Sequence, residues 1–167
     1  LTLNRGDRIA LVGRNGCGKS SLLKLLIGQP IAHTGTLEIG SRLTVSYVPQ
    51  DMSFLSGSAD DFAAESEIDI TLFKTILRKL DFKRTQFTKD MSEFSMGQKK
   101  KVLLARSLCQ RANLYIWDEP LNYIDVISRL QIETLILEYK PTMLFVEHDE
   151  AFVNDIATKV CRISLNQ

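Results

Sequence analysis

The chain has 167 residues, 44% hydrophobic and 25% charged, with a net charge of +1. That length supports one domain with a real core. The near-neutral balance removes any global demand for nucleic acid or a membrane surface, leaving only local basic patches. No apolar run reaches bilayer-spanning length. Cys17, Cys109 and Cys161 are odd in number, far apart and without metal spacing. They point to small apolar roles in a reducing, cytoplasmic setting. The start, Leu1-Thr2-Leu3-Asn4 without an initiator Met, reads as that of an excised piece, truncated on its N-terminal side.

In chain order, residues 7–12 form an apolar run that predicts a buried strand of a parallel sheet. Gly13-Arg14-Asn15-Gly16-Cys17-Gly18-Lys19-Ser20 follows, in the pattern G-x-x-x-x-G-K-S. Residues 19–28 then predict a helix that is apolar on most sides, ended by Gly28. Strand, glycine loop and helix are the context a phosphate-cradling loop requires. Glycines let the backbone approach phosphates, successive N–H groups form an anion-binding concavity, and the helix points its positive end there. Lys19 supplies a point charge, the Ser20 hydroxyl a ligand for Mg²⁺, and Ser21 continues the same turn. Cys17, beside Lys19 at a helix start, is either an activated thiol or a small residue that fits the loop.

Thr36–Gly40 and Leu43–Val48 alternate as two further strands, the second stopped by Pro49-Gln50. Residues 51–66 are polar and predict a loop with weak helix. Residues 67–80 carry a helical period, and Phe82, Phe87, Met91 and Phe94 are placed to pack a small helical subdomain. With no strand in this stretch, approximately 51–110 reads as an all-helical insert in an α/β core. Ser95 predicts an N-cap for the next helix. Leu114–Trp117 is a buried strand ending at Asp118-Glu119; residues 124–138 are helical. Met143–Val146 is another buried strand, ending at Glu147-His148. Asp149 predicts an N-cap for a helix over 150–157, and Val160–Ser164 a closing strand.

Ligands of open α/β sheets bind beyond the carboxyl ends of the strands, where Asp118 and Glu119 fall. Asp118 is placed to hold Mg²⁺, a hard cation that prefers oxygen. Glu119 is placed to polarise a water against a γ-phosphate, a role worth roughly 10²–10⁴ in rate for a positioned base. Phe94-Ser95-Met96-Gly97-Gln98 opens a helix whose N-terminus can receive an anion.

Taken together, the glycine loop, Gln50, the Phe-Ser-Met-Gly-Gln pentapeptide, Asp118-Glu119 and His148 resemble the nucleotide-binding domain of the ATP-binding cassette superfamily, in order and rough spacing. Phe94 and Met96 depart from the usual Leu-Ser-Gly-Gly-Gln. The resemblance covers nearly the whole chain and implies a single such domain over 1–167. It implies a P-loop NTPase core with a mainly parallel sheet, a small antiparallel part and the helical insert. It implies Mg²⁺-dependent ATP hydrolysis, and a head-to-tail pair of cassettes. There each ATP lies between one phosphate loop and the partner's signature helix. On that reading Ser95, Gly97 and Gln98 serve the partner's nucleotide, and Asp125 lies in the loop crossing the pair. Gln50 senses Mg²⁺ and the attacking water, and His148 contacts the γ-phosphate. An aromatic residue stacking on adenine is expected upstream of Leu1.

Asp118-Glu119-Pro120-Leu121-Asn122-Tyr123-Ile124-Asp125 narrows the resemblance to the ABC-F group of translation-linked cassettes without a membrane domain. Pro120–Asp125 looks most like its antibiotic-resistance, ribosome-protection members. The ribosome and its RNA are then expected partners. The alternatives are the ATPase subunit of a membrane transporter, with a membrane-spanning partner, and a non-hydrolysing assembly module. Lys99, Lys100 and Lys101 oppose the dipole of their helix. They read either as a solvated face or as cations awaiting nucleotide or RNA phosphate.

Overall fold

The computed structural model describes residues 1–164. Five strands form its sheet: β1 (Arg8–Val12), β2 (Val45–Val48), β3 (Leu114–Asp118), β4 (Met143–Val146) and β5 (Lys159–Arg162). Their spatial order is β2-β3-β4-β1-β5. Every pairing is parallel, with Leu11 opposite Val146 and Cys161, and Trp117 opposite Val48 and Phe145. All five strands therefore end on one edge, where Gly13, Pro49, Glu119 and Glu147 leave the sheet.

Alternation sorts the core into two layers. Ile9, Leu11, Ile116, Leu144 and Val146 face Leu23 of helix α1 (Lys19–Leu26) on one side. Ala10, Val48, Trp117, Met143 and Phe145 face the other side. Three helices cover it: α4 (Met96–Cys109), α5 (Val126–Tyr139) and α6 (Glu150–Ile156). Phe145 and Phe152 meet edge to face at 5.6 Å between ring centroids, a geometry that adds to their area burial. Gly28, at φ 83°, follows the last turn of α1 as expected.

Between β2 and α4 lie α2 (Ala59–Glu65), α3 (Ile70–Lys79) and two short 3-10 turns, Arg84–Gln86 and Met91–Glu93. Ser58 caps α2 and Asp69 caps α3, so the helix expected from residue 67 starts at Ile70. Phe82 packs against Phe87 and Phe94 at 5.2 and 5.4 Å, as their spacing suggested. Ser95 and Asp149 cap α4 and α6, both as expected.

Two expectations fail. Thr36–Gly40 forms no strand; all five residues are exposed, and Gly35 and Arg42 on either side adopt positive φ. The sheet of the described residues has no antiparallel part. Two-residue alternation reports one face that could be buried, but a strand also needs a partner edge, and here the segment has none. The strand expected from Leu43 begins at Val45, where pairing with β3 begins.

Candidate functional site

The turn between β1 and α1 is built by glycine. Gly16 and Gly18 have φ of 78° and 95°. A Cβ on Gly13 would lie 2.5 Å from the Ile163 carbonyl oxygen and 2.8 Å from Cys17 Sγ. Gly18, the residue before α1, contributes no side-chain cap, so the first N–H groups of the helix keep their capacity for an anion. Lys19 is buried, and its ammonium donates to the carbonyls of Gly13 (2.8 Å) and Arg14 (3.1 Å). Cys17 is buried against Gly13, where a small residue fits the loop.

Opposite the loop stands Glu119, at φ 50° just past the end of β3. Gln50 Nε2 donates to Glu119 Oε2 at 2.8 Å, and Asn122 Nδ2 donates to the same oxygen. His148 Nε2 lies 3.4 Å from the other oxygen, Oε1. Three side chains from three separate strand ends thus fix one carboxylate. Asn15, Gly16, Gly18, Lys19, Ser20, Ser21, Gln50 and Glu119 line a cavity of about 340 Å³.

Asp118 is 1% exposed, and its Oδ1 has no hydrogen-bond partner. Burial raises its pKa above the usual carboxylate range, with the neighbouring Ser20 hydroxyl pulling the other way. An orphaned buried carboxylate oxygen beside a hydroxyl is a hard-oxygen donor set, and it fits a divalent cation such as Mg²⁺.

Ser95, Gly97, Gln98 and Asp125 do not line this cavity. Ser95 and Gln98 cap each other at the start of α4, through N–H bonds of 2.9 and 3.3 Å. Gly97 lies against the loop after β3, where an added Cβ would sit 2.5 Å from the Tyr123 carbonyl oxygen. Asp125 caps α5 through Ser128 and pairs with Lys101 at 2.6 Å. Burial pushes the Asp125 pKa up, but hydrogen bonds from Lys101 and Ser128 outweigh it and bring it to about 2.

The expectation of a solvated or phosphate-facing lysine run is corrected for two of its three members; Lys99 is half-buried. Lys100 and Lys101 are both buried. Lys100 Nζ donates to the Pro49 carbonyl at 3.2 Å and approaches that of Asp118 at 3.5 Å. Desolvation lowers the Lys100 pKa, against the opposing attraction of Asp118, Glu119 and Glu147. The anions facing Lys100 and Lys101 are thus protein carboxylates: Asp118, Glu119 and Glu147 at strand ends, and Asp125 at the start of α5.

Over residues 1–122 the chain matches the family described as ABC transporter. The chain belongs to that family. This ABC chain is 36% identical over 163 residues to "ATP-binding protein Uup" of Escherichia coli strain K12, covering 93% of the chain and 26% of that protein. It is 30% identical over 169 residues to "ABC transporter F family member 2" of Arabidopsis thaliana, covering 98% of itself and 25% of that protein. Among solved structures it resembles archaeal ribosome recycling factor aABCE1, in complex with ribosomal stalk protein aP1. There the TM-score is 0.77 at 27% identity, over 96% of this chain and 32% of that one. The chain spans about a quarter of the length of these two curated relatives.

Within the ABC chain, the partners of two groups near the site, buried Glu147 and half-buried Arg106, were not anticipated from sequence. Glu147 is 5% exposed and accepts three backbone N–H bonds. Arg106 donates through Nη2 to the Tyr47 carbonyl, and its guanidinium lies 6.0 Å from the Phe62 ring centroid. A charged residue one position beyond a fully apolar strand was the available signal for Glu147, since it must leave the sheet at the ligand edge.

Proposed function

We propose that this chain is an ATP-hydrolysing cassette of an ABC-F protein that acts on the ribosome. The cage of Gln50, Asn122 and His148 around Glu119, facing the Lys19 loop across one cavity, carries the hydrolytic part. The relatives' printed names support the group and the ribosomal setting. The likeness of Pro120–Asp125 to resistance members favours ribosome protection within it.

The backbone N–H groups of Gly13–Ser21 receive the phosphates, and Lys19 exchanges its two loop carbonyls for phosphate oxygens. Ser20, Asp118 and Gln50 would hold Mg²⁺, which neutralises charge on the phosphate oxygens. Glu119 takes a proton from water as its oxygen attacks the γ-phosphorus. ADP leaves with the electrons of the broken P–O bond, and inorganic phosphate forms. His148 orients that water and contacts the γ-phosphate. Ser95, Gly97 and Gln98 serve the nucleotide of a second cassette, and the loop through Asp125 crosses to it. Residues 51–110 act as the helical subdomain.

In the complete protein, Glu119→Gln should retain ATP binding and lose phosphate release by roughly a hundredfold or more. Normal turnover would refute the role of Glu119. Co-sedimentation with ribosomes is expected in ATP; co-sedimentation with membranes instead would move the cassette to a transporter.

A further inference from the structure

Glu147 belongs to neither the cavity lining nor the cage around Glu119. It is nevertheless a buried carboxylate at the strand-end edge, one residue beyond β4. Oε1 accepts from His148 N at 2.7 Å and from Asp149 N at 3.3 Å. Oε2 accepts from Leu121 N at 3.1 Å. The two oxygens of one side chain therefore span two loops. One loop leads to His148, the other through Leu121 to Asn122. Both residues approach Glu119, from opposite oxygens.

We propose that Glu147 is the positioning residue of this site: a carboxylate bridge that fixes the His148 loop and the Asn122 loop to each other, and so sets the cage around Glu119. The inference rests on the hydrolytic reading above. A buried carboxylate is costly unless paired or fully hydrogen-bonded. Glu147 meets this with three backbone donors and with the buried ammonium of Lys100, whose field it shares. A merely structural acid would need no particular length. This one must reach both loops at once, which Glu does and Asp, shorter by one methylene, cannot. Glutamine keeps the length but turns one of the two acceptors into a donor aimed at a backbone N–H. A displacement of about 1 Å in groups around a reacting centre can cost on the order of a hundredfold in rate.

The test compares Glu147→Asp and Glu147→Gln with the unsubstituted complete protein, in two measurements. Steady-state hydrolysis should show kcat lowered at least about tenfold with KM for ATP within about twofold, because the phosphate loop is untouched. Amide hydrogen exchange without nucleotide should show faster exchange at Leu121 and His148 in both variants, with β1 and β4 protected as before. Unchanged kcat in both variants, or exchange at Leu121 no faster than in the unsubstituted protein, would overturn the bridge. Loss confined to Glu147→Gln would also overturn it, since charge and not reach would then matter. If the unsubstituted protein hydrolyses no ATP, the reading of the site fails instead, while the exchange measurement still decides whether the bridge exists.

Discussion

Gly97→Ala separates two effects of opposite sign. Gly97 occupies the first turn of α4, where Ala is ordinarily the better residue by up to about 1 kcal/mol. Propensity alone therefore predicts a stabilised protein. The packing predicts the reverse. The new Cβ would sit 2.5 Å from the Tyr123 carbonyl oxygen, against an ordinary carbon–oxygen contact of about 3.3 Å. Both partners are backbone, so neither can swing aside, and about 0.8 Å must come from moving α4 or the 119–125 loop. Overpacking of this kind costs about 1–3 kcal/mol, which at the full propensity gain leaves a net loss of up to about 2 kcal/mol. In a chain of this size that is a fall in Tm of up to about 8 °C. Denaturant and thermal unfolding would measure it. Any displacement of the loop also shifts Asn122 against Glu119, so hydrolysis should fall with stability. A higher Tm for Gly97→Ala would refute the argument outright.

Three further expectations follow from groups away from the glycines. Ser107 accepts from Trp117 Nε1 at 2.9 Å and bonds Ser46 at 2.7 Å, all buried; Ser107→Ala should cost about 1–3 kcal/mol by urea unfolding, for orphaning the indole N–H. Asp118→Asn relieves a buried charge that desolvation opposes, and should abolish the extra thermal shift that Mg²⁺ adds to ATP; an equal Mg²⁺-dependent shift in the variant would refute the metal assignment. The Asp125 carboxyl has its pKa depressed to about 2 from an ordinary 3.8, so its pairing with Lys101 stabilises the fold above about pH 4 and is lost as pH falls to about 2; unfolding free energy should lose that part of its acid dependence in Lys101→Met.

The phosphate loop was legible because its pattern is contiguous and its flanks, an apolar strand and a helix, are local. Caps at Ser95 and Asp149 were legible for the same reason. Asp118 and Glu119 could be placed at the ligand edge because a buried strand ended on them. What could not be read were contacts that depend on distant chain. Lys100 meets Pro49 across 51 residues and Asp118 across 18, so the run of lysines read only as a solvated face or as cations awaiting phosphate. Glu147 meets Leu121 across 26, and nothing near Glu147 in sequence announces that partner. Thr36–Gly40 erred the other way: its pattern was right for a strand, and pairing was missing.

Helix α4 joins two matters that sequence keeps apart. Exposed Ser95 and half-buried Gln98 cap its start, and five residues after Ser95, about 7.5 Å along the axis, Lys100 contacts the carbonyls of Pro49 and Asp118. A rigid rod cannot tilt at one end alone. A displacement of that first turn should therefore be carried by the helix to the stretch bearing Gln50 and to the root of Glu119.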